Sequence, residues 1–324
     1  QTCALPIYDV IDLDPDRLQE LGILEDVVTG IFSRRSFLSL PLLLPLSARL
    51  NGGLSSDSEH FGYEHILGTS MDLVVWSSDP SARAEADRTV LAEIARLSAI
   101  LNTRDATSEI NRWQQSLTPS MSKDLSDMFT AYQKWNRLTG NLVSIRPSGR
   151  GTPLNVDALG KAFIVDRAAR AARAIPHVDG VLLNIGGDIT VLGKACEIGI
   201  TDPANAYDNA PPVQSVTLQD AAIATSGTYA RGNHLINPRT LKPVATASGA
   251  TVIASDAVSA NALATALCVG QADEVLRMVE AVPGAAALVF SGGASRRSRR
   301  FPVTRSEEHT SELQSRFGIS YAVF

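Results

Sequence analysis

Hydrophobic residues at helical spacing are the clearest pattern in the middle of the chain. After Asp79-Pro80, which is typical of a helix start, apolar residues recur every three or four positions over 90–101. A second apolar stripe over 125–138 fits the width of one buried helix face and is more typical of a core helix than of a cofactor site. Further helices are predicted over 160–174, 257–269 and 272–282.

Shorter apolar runs bounded by glycine or polar residues predict strands. The runs 180–185 and 189–192 are joined by Gly-Gly-Asp and predict a hairpin, and 65–76 predicts a strand around a glycine. Other strands are predicted over 213–218, 221–225 and 250–254. This order of elements predicts an α+β domain with a mostly antiparallel sheet flanked by helices, rather than a doubly wound sheet.

Composition narrows the class of protein. The 324 residues are 44% hydrophobic and 19% charged, which excludes a disordered or collagenous chain. The net charge of −5 gives no general basic field, so no nucleic-acid partner is expected. Cys196 and Cys268 lie in apolar stretches without metal-ligand spacing, and we predict two small buried side chains rather than a disulfide or a metal site.

The two ends of the chain differ from the rest. Residues 1–7 and 305–324 read as a translated sequencing adapter and are excluded from fold reasoning, which leaves 55–304 as the predicted domain. Within the leader region 8–50, Ser-Arg-Arg-Ser-Phe-Leu precedes an apolar run at 40–46 that is too short to span a bilayer. This resembles a twin-arginine export signal and predicts an exported or periplasmic protein without a stable membrane anchor. The alternative is a basic helix start followed by a loop broken by proline.

Two glycine-containing segments are candidates for ligand binding. In Asn184-Ile185-Gly186-Gly187-Asp188, the glycines permit close approach of a bulky ligand to the backbone, although an ordinary hairpin turn has the same composition. The second segment combines Thr225, Ser226 and Gly227 with a downstream imidazole and guanidinium, His234 and Arg239. Such a set could cradle a phosphate, with His234 moving a proton and Arg239 giving bidentate donors. A structural histidine in an ordinary turn is the alternative.

Two helices offer groups for a cation or an anion. Asn261 and Thr265 are four residues apart on one predicted helix face, so their oxygens could converge on a hard cation such as Mg²⁺. A face of small residues packed on a sheet is the alternative. Gly160 and Lys161 lie where a loop enters a helix, and Lys161 adds a positive charge there.

These motifs, taken in order, resemble the bacterial FAD:protein FMN transferase family, usually called ApbE. The likeness covers about 65–290 and includes the Leu-Gly-Thr-Ser-Met segment that ends at Met71, Leu-Gly-Lys, Asn-Ile-Gly-Gly-Asp, Ala-Thr-Ser-Gly and His-Leu-Ile-Asn-Pro-Arg-Thr. It implies a T-fold-like domain that uses FAD and Mg²⁺. It also implies a partner protein whose Thr or Ser hydroxyl attacks the FMN-side phosphorus of FAD, with release of AMP.

The resemblance also assigns roles to the matching positions. Catalysis would fall to His234 and Asp188, and Mg²⁺ would be held by the carbonyl near Gly160 with Asn261 and Thr265. The residues implied in cofactor binding are Met71, Lys161, Gly186, Gly187, Asp188, Thr225, Ser226, Gly227 and Arg239.

The chain departs from the family pattern at several positions. Asn261 and Thr228 stand where the family usually has Asp, and Ala162 and Leu241 stand where it usually has Gly. An amide in place of a carboxylate keeps an oxygen donor but loses a full charge, which weakens Mg²⁺ binding. A non-catalytic flavin-binding relative and an FAD pyrophosphatase, in which water replaces the protein acceptor, are therefore kept as alternatives.

Overall fold

An antiparallel sheet of eight strands organises the protein. The structure is a computed structural model that describes residues 57–117, 120–200, 212–227, 236–244, 249–291 and 293–302. The leader region, the two adapter-like ends, His234 and Thr228 lie outside the described residues.

Every neighbouring pair of strands in the main sheet is antiparallel. The spatial order is β1-β2-β3-β4-β7-β10-β11-β12, and two small two-stranded sheets, β5-β6 and β8-β9, lie beside it. The strands are β1 Ser58–Ile66, β2 Thr69–Trp76, β3 Gly180–Ile185, β4 Asp188–Leu192, β5 Cys196–Ile200, β6 Gln214–Leu218, β7 Ala221–Gly227, β8 Ile236–Asn237, β9 Lys242–Pro243, β10 Gly249–Ala254, β11 Ala286–Ser291 and β12 Ala294–Arg297.

The described residues form six helices, most of them with side-chain caps. Asp79, Ser122 and Asp256 each accept a hydrogen bond from a backbone amide in the first turn of the helix that follows, which satisfies one of the unpaired N–H groups there. The helices are α1 Pro80–Leu101, α2 Glu109–Gln114, α3 Lys123–Leu138, α4 Gly160–Arg173, α5 Ala257–Val269 and α6 Ala272–Ala281.

The sheet buries apolar side chains on both faces because strand residues alternate between them. On β2, Leu73 and Val75 join the large core beneath the helices, whereas Val74 joins a smaller core on the other face. The hairpin β5-β6 and Phe301 contribute to that smaller core. The predicted α+β class with a mostly antiparallel sheet and flanking helices is confirmed.

The elements differ from the sequence-based prediction at a few places. The region 65–76 forms the end of β1 and all of β2, joined through Leu67 and Gly68, which both have positive φ. The strands β5, β8, β9, β11 and β12, most of β1 and the short helix α2 were not predicted. Among the residues that the structure describes, no helix is both long enough and apolar enough to cross a bilayer.

Candidate active site

A two-residue glycine turn joins β3 to β4. Ile185 pairs with Asp188, and the intervening Gly186 and Gly187 have φ of +52° and +85°. Positive φ at both central residues is the geometry of the tight hairpin turns that favour glycine. A Cβ on Gly186 would lie 2.6 Å from Cγ2 of Thr69, so this glycine also permits close contact between the turn and β2.

Every backbone polar group of the two glycines already has a partner in the protein. The Gly186 amide donates to the Ser70 carbonyl at 3.3 Å, and the Gly187 amide donates to Asn184 Oδ1 at 3.1 Å. The Gly186 carbonyl accepts from Lys161 Nζ at 2.7 Å, and the Gly187 carbonyl accepts from the Thr225 amide at 3.3 Å. The turn is therefore held by groups from β2, β3, α4 and β7. Its two amides are both paired within the protein and do not point toward a ligand.

Lys161 fixes this turn from the helix side of the sheet. Lys161 lies in the first turn of α4, and its Nζ also donates to the Ile185 carbonyl at 3.0 Å. It forms an ion pair with Asp188 Oδ2 at 3.1 Å, and the two side chains are 14% and 1% exposed. Asp188 Oδ2 has no aligned hydrogen bond, so this contact is chiefly electrostatic. The Lys161 ammonium thus donates two hydrogen bonds to backbone carbonyls and places its charge beside Asp188.

Asn261 and Thr265 complete the network from α5. Asn261 Nδ2 donates to Asp188 Oδ1 at 2.8 Å, and the Thr265 hydroxyl donates to Asn261 Oδ1 at 3.3 Å. An ionised carboxylate only accepts hydrogen bonds, which assigns the Asn261 amide group to Asp188 and its oxygen to Thr265. We call Lys161, Asp188, Asn261 and Thr265 the Asp188 network. It unites residues from three segments that the sequence analysis considered separately.

Two other predicted site residues flank this network. Met71 is buried in the helix-side core and pairs with Ile185, next to the glycine turn. Gly160 is the buried first residue of α4, and its amide donates to the Val156 carbonyl at 2.6 Å. Met71 is therefore next to the turn across the sheet, and Gly160 directly precedes Lys161 in the chain.

The end of β7 lies beside the turn. The Thr225 hydroxyl is 3.0 Å from the Thr251 hydroxyl, and Gly227 pairs with Gly249 of β10. The Ser226 carbonyl accepts from Cys268 Sγ at 3.2 Å. Burial raises the pKa of Cys268 to about 12, so this thiol stays protonated at neutral pH.

Arg239 lies in a different environment. Its guanidinium donates to the carbonyls of Gly140 at 2.6 Å and Thr139 at 3.0 Å, where α3 ends. It also binds both carboxylate oxygens of Glu274 on α6, at 2.9 and 3.2 Å. The hydrogen bond from Arg239 lowers the pKa of Glu274. Four of its five N–H groups thus have protein partners, and none of these partners belongs to the Asp188 network.

A series of hydrogen-bonded polar side chains, which was not predicted from the sequence, lies on the opposite face of the sheet. His60 Nε2 lies 2.9 Å from Asp72 Oδ1, and Asn184 Nδ2 donates to Asp72 Oδ2 at 3.3 Å. Asn184 then accepts from the Gly187 amide. A signal was present in the sequence, because Asp72 interrupts an otherwise apolar strand at the same parity as Val74.

The donor chemistry around Asn261 fits a hard cation. Asn261 Oδ1 and Thr265 Oγ1 lie side by side, and the buried Asp188 Oδ2 lacks a hydrogen bond. Oxygen donors of this kind suit Mg²⁺. Among the described residues, no three His, Cys, Asp or Glu side chains form a group that could hold a metal.

The chain is similar in sequence to known proteins. The model of the ApbE family matches residues 141–290. An FAD:protein FMN transferase of Rhodobacter capsulatus is 31% identical over 149 residues, which are 42% of this chain and 28% of that relative. The match thus spans less than a third of the relative's length.

Solved structures show the same fold. The ApbE protein of Thermotoga maritima has a TM-score of 0.63 at 20% identity, over 74% of this chain and 97% of that one. The apo flavinyl transferase ApbE of Pseudomonas stutzeri has a TM-score of 0.62 at 18% identity, over 75% and 95%.

Proposed function

We propose that this protein transfers FMN from FAD to a Thr or Ser hydroxyl of an acceptor protein. The observation that carries the proposal is the Asp188 network, since three distant segments converge on one buried carboxylate. All four of its residues lie within the part of the chain that the ApbE family model matches. The partners would be FAD and the acceptor protein.

The proposed reaction is a substitution at phosphorus. The acceptor oxygen forms a bond to the FMN-side phosphorus, the bond from that phosphorus to the bridging oxygen breaks, and AMP leaves with the bridging oxygen. The hydroxyl proton passes to a base, for which His234 is our first candidate because imidazole suits proton transfer near neutral pH. Asp188 is the second candidate, although its two oxygens are already engaged by Asn261 and Lys161.

Mg²⁺ would be held by Asn261, Thr265 and the Gly160 carbonyl, and when bound it would neutralise charge on the FAD pyrophosphate. The chain's own residues prepare this arrangement. Lys161 holds the turn and Asp188, and Asp188 in turn orients the Asn261 amide so that its oxygen faces Thr265. Preorganised groups of this kind reduce the reorganisation needed at the moment of reaction.

The flavin pocket would lie around the glycine turn. This pocket would be shaped by the turn residues Gly186 and Gly187 and by the residues around the turn, which are Met71, Thr225, Ser226 and Gly227. Arg239 would act through the local fold, because its guanidinium is already paired with Glu274 and the end of α3. We also propose that the segment 33–46 directs export to the periplasm, as a twin-arginine signal would.

A transfer assay tests this function. The purified full chain is incubated with FAD, Mg²⁺ and a protein or peptide that carries a flavinylation Thr or Ser, and the acceptor is analysed by mass spectrometry. The expected result is an added FMN and one AMP released per acceptor modified. Release of FMN and AMP without modification of the acceptor would identify a pyrophosphatase. Retention of FAD without turnover would identify a flavin-binding relative.

His234→Ala separates catalysis from binding in the same assay. Loss of a general base typically lowers the rate about 10²–10⁴-fold. We expect transfer to fall by this factor with FAD affinity nearly unchanged, because the lost contribution belongs to the transition state. A parallel fall in FAD affinity would instead assign His234 to cofactor binding. Unchanged transfer would rule out His234 as the base.

A further inference from the structure

On the sheet face opposite the helices, the glycine turn is held by a series of hydrogen-bonded side chains that starts near the surface. His60 on β1 contacts Asp72 on β2 at 2.9 Å, Asp72 accepts from Asn184 at 3.3 Å, and Asn184 accepts from the Gly187 amide at 3.1 Å. The side chains of His60 and Asp72 are 29% and 24% exposed, whereas Asn184 is 2% exposed. This series of hydrogen bonds therefore runs from a solvent-accessible imidazole to the buried turn.

The orientation of each side chain in this series depends on the side chain before it. An ionised Asp72 only accepts hydrogen bonds, so His60 must donate from Nε2 and Asn184 must donate from Nδ2. This leaves Asn184 Oδ1 to face Gly187, whose amide needs an acceptor. If the Asn184 amide turned over, two donors would meet at Gly187, which leaves a buried N–H without a partner.

We propose that His60 is a positioning residue for the turn that carries Asp188, and that it acts through Asp72 and Asn184. His60 holds the Asp72 carboxylate in place, the carboxylate selects the Asn184 amide orientation, and Asn184 fixes the Gly187 amide. Asp188 follows Gly187 directly, and the Gly187 carbonyl also accepts from Thr225. The consequence for FMN transfer rests on the proposed function, whereas the effect on the turn does not.

Two substitutions of His60 test the proposal in the full chain. His60→Ala removes the donor to Asp72, while His60→Gln keeps an amide donor at nearly the position of Nε2. His65→Asn is the matched control, because His65 lies on the same strand, is exposed and has a positive φ that asparagine tolerates. The readout is amide hydrogen exchange at Gly187, measured by NMR. Gly193, whose amide donates to Asp220 Oδ1 at 2.8 Å, serves as the internal reference.

We expect exchange at Gly187 to become about tenfold faster in His60→Ala, which corresponds to the loss of about one net hydrogen bond. Exchange at Gly193 should stay the same, and both His60→Gln and His65→Asn should behave like the wild type. An unchanged Gly187 rate in His60→Ala would overturn the proposal. Equal acceleration at Gly187 and Gly193 would also overturn it, because it would indicate general loss of stability.

Transfer kinetics give a second readout that separates the two proposals. In His60→Ala we expect kcat to fall about tenfold with little change in the KM for FAD, and His60→Gln should recover it. A wild-type protein that does not transfer FMN would refute the proposed function, while hydrogen exchange would still decide the role of His60. Normal transfer combined with unaltered exchange in His60→Ala would refute only the positioning role.

Discussion

The two cations predicted to bind the cofactor, Lys161 and Arg239, lie in contrasting regions. Lys161 is 14% exposed and donates into the glycine turn beside a carboxylate that is 1% exposed. Arg239 is 34% exposed and joins the β8-β9 connection to the end of α3 and to Glu274. Both side chains are held by protein partners, but of the two only Lys161 is part of a buried charged group.

An ion pair therefore contributes differently to stability in the two regions. A buried ion pair compensates the cost of removing charges from water, so loss of one partner leaves an uncompensated charge. A half-exposed ion pair gains little, because solvent already stabilises both charges. We therefore expect substitutions around Asp188 to have much larger effects than substitutions around Arg239.

Lys161→Met is the strongest test of this contrast. It leaves Asp188 buried without a positive partner and removes both hydrogen bonds to the turn, and we expect a loss of about 3–5 kcal/mol in the free energy of unfolding. Urea unfolding at neutral pH measures the change. Lys134→Met, in which an exposed lysine near Trp135 is replaced, should change stability by no more than about 1 kcal/mol.

A double variant distinguishes charge from packing. Lys161→Met combined with Asp188→Asn removes the uncompensated charge, so it should be more stable than Lys161→Met alone. If both variants lose the same stability, the Asp188 charge is not the source of the effect, and the contrast with Arg239 fails.

Asn261→Asp is expected to have the next largest effect. A carboxylate at this position would lie near Asp188 Oδ1, which Asn261 Nδ2 now contacts at 2.8 Å. Two carboxylates at that distance repel each other, and a divalent cation would relieve the repulsion. We expect a loss of about 1–3 kcal/mol in the presence of a chelator, with recovery on addition of Mg²⁺. Thermal unfolding with and without Mg²⁺ measures both parts.

The same variant tests the metal assignment. Gln133→Glu adds an equal charge at an exposed position on α3 and should show no dependence of stability on Mg²⁺. If Asn261→Asp is also insensitive to Mg²⁺, Asn261 is not a metal ligand. If the metal-dependent recovery occurs, Mg²⁺-dependent FMN transfer should rise in this variant, because the missing carboxylate has been restored.

Much of the fold was predictable because its signals are local. The helix start at Asp79-Pro80 and regular apolar spacing defined the longer helices, and the two glycines between apolar runs defined the β3-β4 hairpin. The strand β12 gave no such signal, since all four of its residues are exposed. The separation of β1 from β2 depended on a turn at Leu67 and Gly68 that the sequence analysis read as an interruption within one strand.

The candidate site was predictable in its parts and not in its connections. Lys161, Asp188, Asn261 and Thr265 were each identified, and the structure brings them together. The sequence could not indicate that Lys161 donates to backbone carbonyls 24 and 25 residues away, because every residue has a carbonyl. The contact of His60 with Asp72 depends on strand register, which is not evident from either residue alone.

Arg239→Gln should have the smallest effect, and its pH dependence reveals the reason. Because Arg239 lowers the pKa of Glu274 in the folded state, the ion pair contributes stability above the pKa of an unfolded glutamate and loses it as the pH falls through the lower folded value. At neutral pH we expect a cost of no more than about 1 kcal/mol, and this cost should decrease in acid. Urea unfolding at neutral pH and near pH 3.5 measures it, since pH 3.5 lies below 4.5, the pKa of an unperturbed glutamate. Glu274→Gln should lose the same pH-dependent part, and FAD affinity should be unchanged in both variants. A large fall in FAD affinity in Arg239→Gln alone would show that this guanidinium binds the cofactor after all, and the contrast between the two cations would no longer hold.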